Sequence, residues 1–183
     1  MEKGAPVEGG PFLLFLIILF VFSCAGPARF QESRGVRAIE NVPFFPQEAY
    51  QCGPASLAGV LNFWGLKVSP EEIAADIYSK AAQGTLDVDM VFYAERKGLQ
   101  ARQYQGGWED FKKSIDSGIP LIILVDYGFW VYQQNHFMVV IGYDENAVIA
   151  HSGKERNKVF PRGIFLKTWE RANFWTLQIT PKP

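Results

Sequence analysis

The sequence predicts an α+β domain, with helices from its first half packed on an antiparallel sheet from its second half. Three observations predict it. Apolar residues recur at helical spacing over residues 54–64, at Leu57, Val60, Leu61 and Trp64. Residues 120–125 and 137–143 are continuous apolar runs rich in β-branched side chains, the pattern of strands buried on both faces. The polar turn Asp144-Glu145-Asn146 separates the second run from a third, residues 147–151, and joins the two as a hairpin. Helices followed by hairpin-linked strands make an α+β domain.

Each element has its own local cause. Residues 25–40 are rich in small and charged side chains without a sustained apolar period, and read as a tether. The helix over 54–64 opens just after Cys52, with Pro54 suited to its first turn and Gly65 to its stop. A second helix starts at Ser69-Pro70-Glu71-Glu72: Ser69 is the N-cap, Pro70 fills the first position and Glu72 completes a capping box. A third is predicted over 87–97, stopped by Gly98, and a short amphipathic fourth over 108–117. Strands are predicted at 120–125, 137–143, 147–151 and 174–179, with the 54–64 helix packed on the sheet. Phe129-Trp130 and Tyr132, just before the 137–143 strand, are expected in the core or lining a substrate groove.

The 183 residues suffice for one domain with a real core, and 48% hydrophobic content is typical of that class. A net charge of −1 gives no global attraction to nucleic acid, so none is expected as a partner.

Residues 11–22 are uncharged and apolar throughout, and shorter than the roughly 20 residues a membrane-spanning helix needs. They fit the core of a secretory signal. Val21-Phe22-Ser23-Cys24-Ala25-Gly26 then resembles a bacterial lipoprotein box, with a small Ser before the cysteine and an aliphatic residue three before it. The expected organisation is a signal peptide over 1–23, a lipidated Cys24 and tether over 24–41, and the domain over 42–183. An uncleaved anchor helix is the alternative. Either puts the domain in the bacterial envelope, held at a membrane and facing the periplasm or the exterior. Removing Lys3, Glu2 and Glu8 with the signal would leave the remainder formally neutral.

Cysteine usage sharpens this. The chain has two cysteines, Cys24 and Cys52. With Cys24 acylated, Cys52 has no disulfide partner in an oxidising compartment, and a lone thiol there calls for a chemical reason. A Cys24–Cys52 bridge is the rival.

A cysteine hydrolase needs a thiolate, a base and oxyanion donors. Cys52 precedes Gly53-Pro54-Ala55 at a helix amino terminus, where the helix dipole favours the thiolate. The small neighbours Gly53 and Ala55 let an acyl group approach. His136 opens the otherwise apolar 137–143 run, where burying an imidazole is costly unless it has partners. The chain has two histidines, so the base is His136 or His151. Two histidines and one free thiol supply too few zinc ligands, and no phosphate-cradling glycine loop is present, so neither metal nor cofactor is expected.

Three blocks together, Val42-Pro43-Phe44-Phe45-Pro46-Gln47, Gln51-Cys52-Gly53-Pro54-Ala55-Ser56-Leu57-Ala58 and His136-Phe137-Met138-Val139-Val140-Ile141-Gly142-Tyr143-Asp144, resemble the bacteriocin-processing, or double-glycine, peptidases of the papain-like clan. The resemblance spans about residues 42–153. It implies a papain-like fold, a Cys52/His136 pair, and Gln47 as the glutamine that helps bind the oxyanion, with Gln51 as a substitute. That family usually carries Asp or Asn near the end of the strand after the histidine strand. Here that strand ends Ala150-His151-Ser152-Gly153, and the family's spacing puts Ser152 in the orienting position. A hydroxyl accepts the imidazole N–H but cannot stabilise imidazolium as a carboxylate does. His151 and Asp144 are alternative orienting groups.

The function this implies is an envelope thiol peptidase acting on a peptide or protein substrate. The alternatives are a catalytically weak or inactive papain-like module that binds peptide, and a cell-wall peptide hydrolase. No transporter domain follows in the sequence, unlike the exporters that carry this peptidase module.

Overall fold

The computed structural model describes Met1, residues 35–47 and residues 51–183. The expected signal segment, Cys24 and most of the tether lie outside the described residues. Contacts divide the chain into Met1–Gln31 and Glu32–Pro183. The second unit carries the fold.

Its elements in chain order are β1 (Arg37–Ala38), α1 (Cys52–Phe63), α2 (Pro70–Ile77), β2 (Tyr78–Ser79), β3 (Gly84–Thr85), α3 (Asp87–Arg96), β4 (Leu99–Gln105), α4 (Trp108–Asp116), β5 (Leu121–Asp126), β6 (Asn135–Tyr143), β7 (Ala147–Ser152), β8 (Glu155–Pro161), α5 (Arg162–Arg171) and β9 (Trp175–Pro181). The fold is α+β, as predicted. The main sheet runs β4-β9-β5-β6-β7-β8, with β1 on β6, and its paired strands are antiparallel. β2 and β3 form a separate two-stranded hairpin.

The continuous apolar runs are explained by helices on both faces of the sheet. Alternate residues of β6 divide between two cores: Phe137, Val139 and Ile141 join Leu57 and Leu61 of α1, while Met138 and Val140 join Phe111 of α4 and Trp169 of α5. α1 is buried from Gly53 through Leu61. The α2 capping box forms as read, Ser69 Oγ accepting from Glu72 N at 3.2 Å and Glu72 Oε2 from Ser69 N at 2.8 Å. Asp144 Oδ1 closes the β6–β7 turn by accepting from the N–H groups of Asn146 and Ala147, both at 2.7 Å.

Of the elements that escape the sequence reading, β4, β8 and α5 do so for one reason: they bury little. β4 and β8 each bury a single residue, Leu99 and Phe160, and α5 buries Phe165 and Trp169. The sheet also reaches back into the expected tether, since Arg37–Ala38 pairs with Gly142 and Tyr143.

The β5–β6 connection bears on the site. Asp126, at the end of β5, is 2% exposed. Its Oδ1 accepts from Gly128 N at 2.7 Å and Gln134 N at 2.8 Å, and its Oδ2 from Arg171 Nη2 at 3.0 Å. At the loop tip Trp130 is 92% exposed, and Phe129 and Tyr132 are also exposed. They belong neither to the core nor to the cavity described next, which corrects the expectation for these aromatics.

Candidate active site

One cavity of about 970 Å³ is lined by Cys52, His136 and Gln47 together. Cys52 comes from the start of α1, His136 from the second residue of β6, and Gln47 from the segment leading to α1. The remaining wall includes Thr85 of β3 and Leu86 just before α3, Gln133–Asn135 leading to His136, and Gly153 after β7. Gly53 makes the wall possible, because a Cβ there would lie 2.8 Å from Thr85 Cβ. Thr85 Oγ1 is buried without a hydrogen-bond partner among the described residues.

Cys52 is a free cysteine. It is the first residue of α1, and the N-cap residue Gln51 makes no side-chain capping bond. The helix therefore opens with N–H groups available to the sulfur. Burial pushes the thiol up from its ordinary value, and hydrogen bonds from the backbone N–H groups of Phe137, Gly53 and Cys52 itself only partly oppose it. The expected thiolate is thereby corrected: desolvation outweighs the helix terminus in the free protein.

His136 is held down to about 4, first by burial and then by the Lys158 ammonium. Thiol and imidazole are both neutral at rest. His136 Nε2 lies 3.0 Å from Ser152 Oγ. When Ser152 accepts from Nε2–H, Nδ1 is left as the nitrogen able to take a proton. The Tyr127 ring lies beside the imidazole, centroids 5.8 Å apart.

The two alternative orienting groups are otherwise engaged. His151 donates from Nε2 to Val42 O at 3.0 Å and accepts at Nδ1 from Asn157 N at 3.2 Å. Its ring packs edge-on against Phe44, so both its nitrogens serve the fold. Asp144 is committed to the β6–β7 turn.

Gln47 is pinned at both ends. Its backbone N–H donates to Gly153 O at 3.0 Å and its Oε1 accepts from Gly153 N at 3.2 Å. Nε2 then points to Phe137 O at 3.4 Å and Ser56 Oγ at 3.5 Å. Both contacts are long, so the amide keeps donor capacity toward the cavity. Gln51 sits at the N-cap of α1.

Sequence reading missed Tyr127, Thr85 and Gly153. Tyr127 follows the apolar β5 run and has no motif of its own, and Thr85 lies in a hairpin two residues per strand long. Among the described residues no group of three His, Cys, Asp or Glu is placed to hold a metal, and no helix is long and apolar enough to cross a membrane.

Residues 39–176 match the Peptidase_C39 like family model. An uncharacterized protein of Methanothermobacter thermautotrophicus is 29% identical over 109 residues, 60% of this chain and 69% of that protein. Among solved structures, a C39-like peptidase assignment from Bacillus anthracis superposes with a TM-score of 0.69 at 18% identity, covering 80% of this chain and 98% of the other. The double glycine motif protease of an AMS/PCAT transporter, solved in complex with the leader peptide, gives 0.64 at 25% identity over 82% and 96%. The peptidase domain of Streptococcus ComA, a bi-functional ABC transporter, gives 0.63 at 21% over 78% and 100%. With a family match over most of its length and the fold of these peptidase domains, the chain belongs to the Peptidase_C39 like family.

Proposed function

We propose that this domain is a thiol peptidase that hydrolyses peptide bonds through Cys52 and His136. The observation that carries this reading is that the two side chains line one cavity at the start of a buried helix, in a chain of a peptidase family. His136 Nδ1 takes the thiol proton as Sγ bonds to the peptide carbonyl carbon. The oxyanion is received by the Cys52 backbone N–H and Gln47 Nε2. His136 then gives the proton to the leaving amine, the C–N bond breaks, and water hydrolyses the thioester to release the acid and the thiol. Because both groups are neutral at rest, His136 acts as a general base rather than as half of a standing ion pair.

The location belongs to the same proposal: export, lipid on Cys24 and a substrate met in the bacterial envelope, as either a peptide or a protein. The test compares envelope peptides from cells carrying the wild type and Cys52→Ala. New termini that depend on Cys52 support the reading, and identical peptide sets overturn it. A second reading, a peptide-binding module with little turnover, draws on one observation: the hydrogen-bond partner of His136 is a hydroxyl rather than a carboxylate. Tight binding of peptides that both proteins leave intact would favour it.

A further inference from the structure

We propose that the tip of the β5–β6 loop, Phe129-Trp130-Val131-Tyr132, docks into the surface of a lipid bilayer, a role separate from the chemistry at Cys52. Four consecutive large apolar side chains stand in solvent there: Phe129 is 75% exposed, Trp130 92%, Val131 93% and Tyr132 63%. Single exposed hydrophobics are ordinary, but a contiguous cluster marks a surface that something covers.

The loop is built to present these side chains. Trp130 has φ 55°, in the left-handed region that a bulky residue enters only at a cost. Tyr132 N–H donates to Phe129 O at 3.0 Å and closes a tight turn around Trp130 and Val131. Behind the tip, Tyr127 N–H donates to Gln134 O at 2.9 Å. The buried Asp126 carboxylate accepts from Gly128 N and Gln134 N and ties both to Arg171 of α5. A Cβ at Gly128 would collide with the Tyr132 carbonyl, so only glycine lets the two arms of the loop close.

Three features select lipid as the occupant. No Lys, Arg, Asp or Glu occurs from Tyr127 to Asn135, so insertion takes no charge out of water. The Phe129–Tyr132 bond satisfies backbone groups at the tip, where lipid offers no partners of its own. Nearly complete exposure makes Trp130 and Val131 a projection rather than a groove, and Trp and Tyr rings settle at the headgroup level of membranes.

The chain length allows the contact. Arg37 pairs with Tyr143, at the end of β6 away from the loop. From Tyr143 back to Val131 the chain runs about 40 Å at strand rise. The residues from Cys24 to Arg37 extend to roughly 45 Å at most. A lipid on Cys24 and the aromatic tip can therefore share one bilayer. Gln133 and Gln134, next along the loop, line the cavity, so docking brings the cavity wall to the lipid surface.

The test reconstitutes the full chain in phosphatidylcholine vesicles, with and without bromine on the acyl chains, and reads tryptophan emission. Bromine quenches an indole only at close range, and subtracting the spectrum of Trp130→Phe isolates Trp130 from the other tryptophans. Brominated lipid cuts the Trp130 emission to less than half, and the double variant Phe129→Ser, Val131→Asp restores it. Both positions are exposed, and an unchanged far-ultraviolet circular dichroism spectrum verifies that the variant is folded. Equal Trp130 emission in the two kinds of vesicle overturns the proposal. So does quenching that survives the double variant, because the tip would then lie near the anchor without entering lipid. Shielding of Trp130 from iodide by an added Leu-rich amphipathic peptide, with no quenching by bromine, assigns the tip to a protein partner and overturns it as well. The emission needs no turnover, so a catalytically inactive chain would sink the peptidase reading and leave this result legible.

Discussion

Ser152 Oγ stands 3.0 Å from His136 Nε2, so a neutral hydroxyl meets the imidazole where a charged acceptor would hold imidazolium. The consequence is visible in His136 itself, which burial and the Lys158 ammonium hold down to about 4.

Replacing Ser152 with Asp tests that relationship directly. A negative charge beside Nε2 favours imidazolium, so the His136 pKa rises from about 4 toward or beyond the ordinary 6.5. The acid limb of the kcat/KM profile moves to higher pH with it. Ser152→Ala removes one hydrogen bond and lowers kcat roughly tenfold. An NMR titration of the ring and a pH–rate profile read both effects, and a midpoint that stays near 4 in Ser152→Asp would show the two groups to be uncoupled.

The resting state of the thiol makes a second prediction. With Cys52 pushed up and His136 held down, iodoacetamide alkylates Cys52 at pH 7 more slowly than a free cysteine. The rate climbs only above the ordinary thiol pKa of about 8.5. His136→Ala leaves this alkylation profile nearly unchanged while abolishing peptide hydrolysis. Rapid alkylation at pH 6 that disappears in His136→Ala would instead reveal a thiolate–imidazolium pair.

These behaviours divide along a line the sequence itself draws. Strong local signals were readable: the Ser69–Glu72 capping box, the apolar runs of β5 and β6, and the position of Cys52 at a helix start. The ionisation of Cys52 was not, because the helix-terminus effect is local and visible in sequence while desolvation depends on what packs around the sulfur. Tyr127 was hidden for a related reason. It meets His136 only because β5 pairs with β6, and that register is a property of the sheet rather than of either segment. β4, β8 and α5 bury too little for apolar periodicity to mark them.

Asp126 supplies a third prediction, about the loop whose Gln133 and Gln134 line the cavity. Burial alone would raise its carboxyl, yet the N–H groups of Gln134 and Gly128 and the Arg171 guanidinium hold it below the usual range. Asp126→Ala leaves two backbone donors and a guanidinium without their acceptor. Breaking a buried pair of this kind costs about 3 kcal/mol. Asp126→Asn keeps the acceptor for the two N–H groups and costs less. Urea midpoints rank the variants, and amide exchange of residues 127–134 rises more in Asp126→Ala than elsewhere in the sheet. Equal midpoints for the two variants would mean that the backbone bonds are not what the carboxylate secures.

Acid stability closes the set, and its sign follows from the two histidines. Above pH 6.5 both are neutral in the folded and unfolded chain, so neither gives stability a pH dependence. As pH falls below 6.5, the unfolded imidazoles take up protons first. In the folded state burial keeps His136 neutral to about 4 and lowers His151 as well, although the His151 bond to Val42 opposes the shift. The unfolded chain therefore binds more protons across this window, and stability present above pH 6.5 is lost as pH falls toward 4. Asp126, held below its ordinary range, adds its loss only below about pH 4, where unfolded carboxylates protonate. Urea midpoints measured at pH 7.5, 6 and 5 should decline, more steeply in the wild type than His136 alone would give. In His151→Gln the starting midpoint is lower because the bonds to Val42 and Asn157 are weakened, but the slope is nearer one proton, since a single buried imidazole remains to resist charging. A midpoint independent of pH from 7.5 to 5 would mean that the folded state admits imidazolium at both positions, and the neutral general base assigned to His136 would go with it.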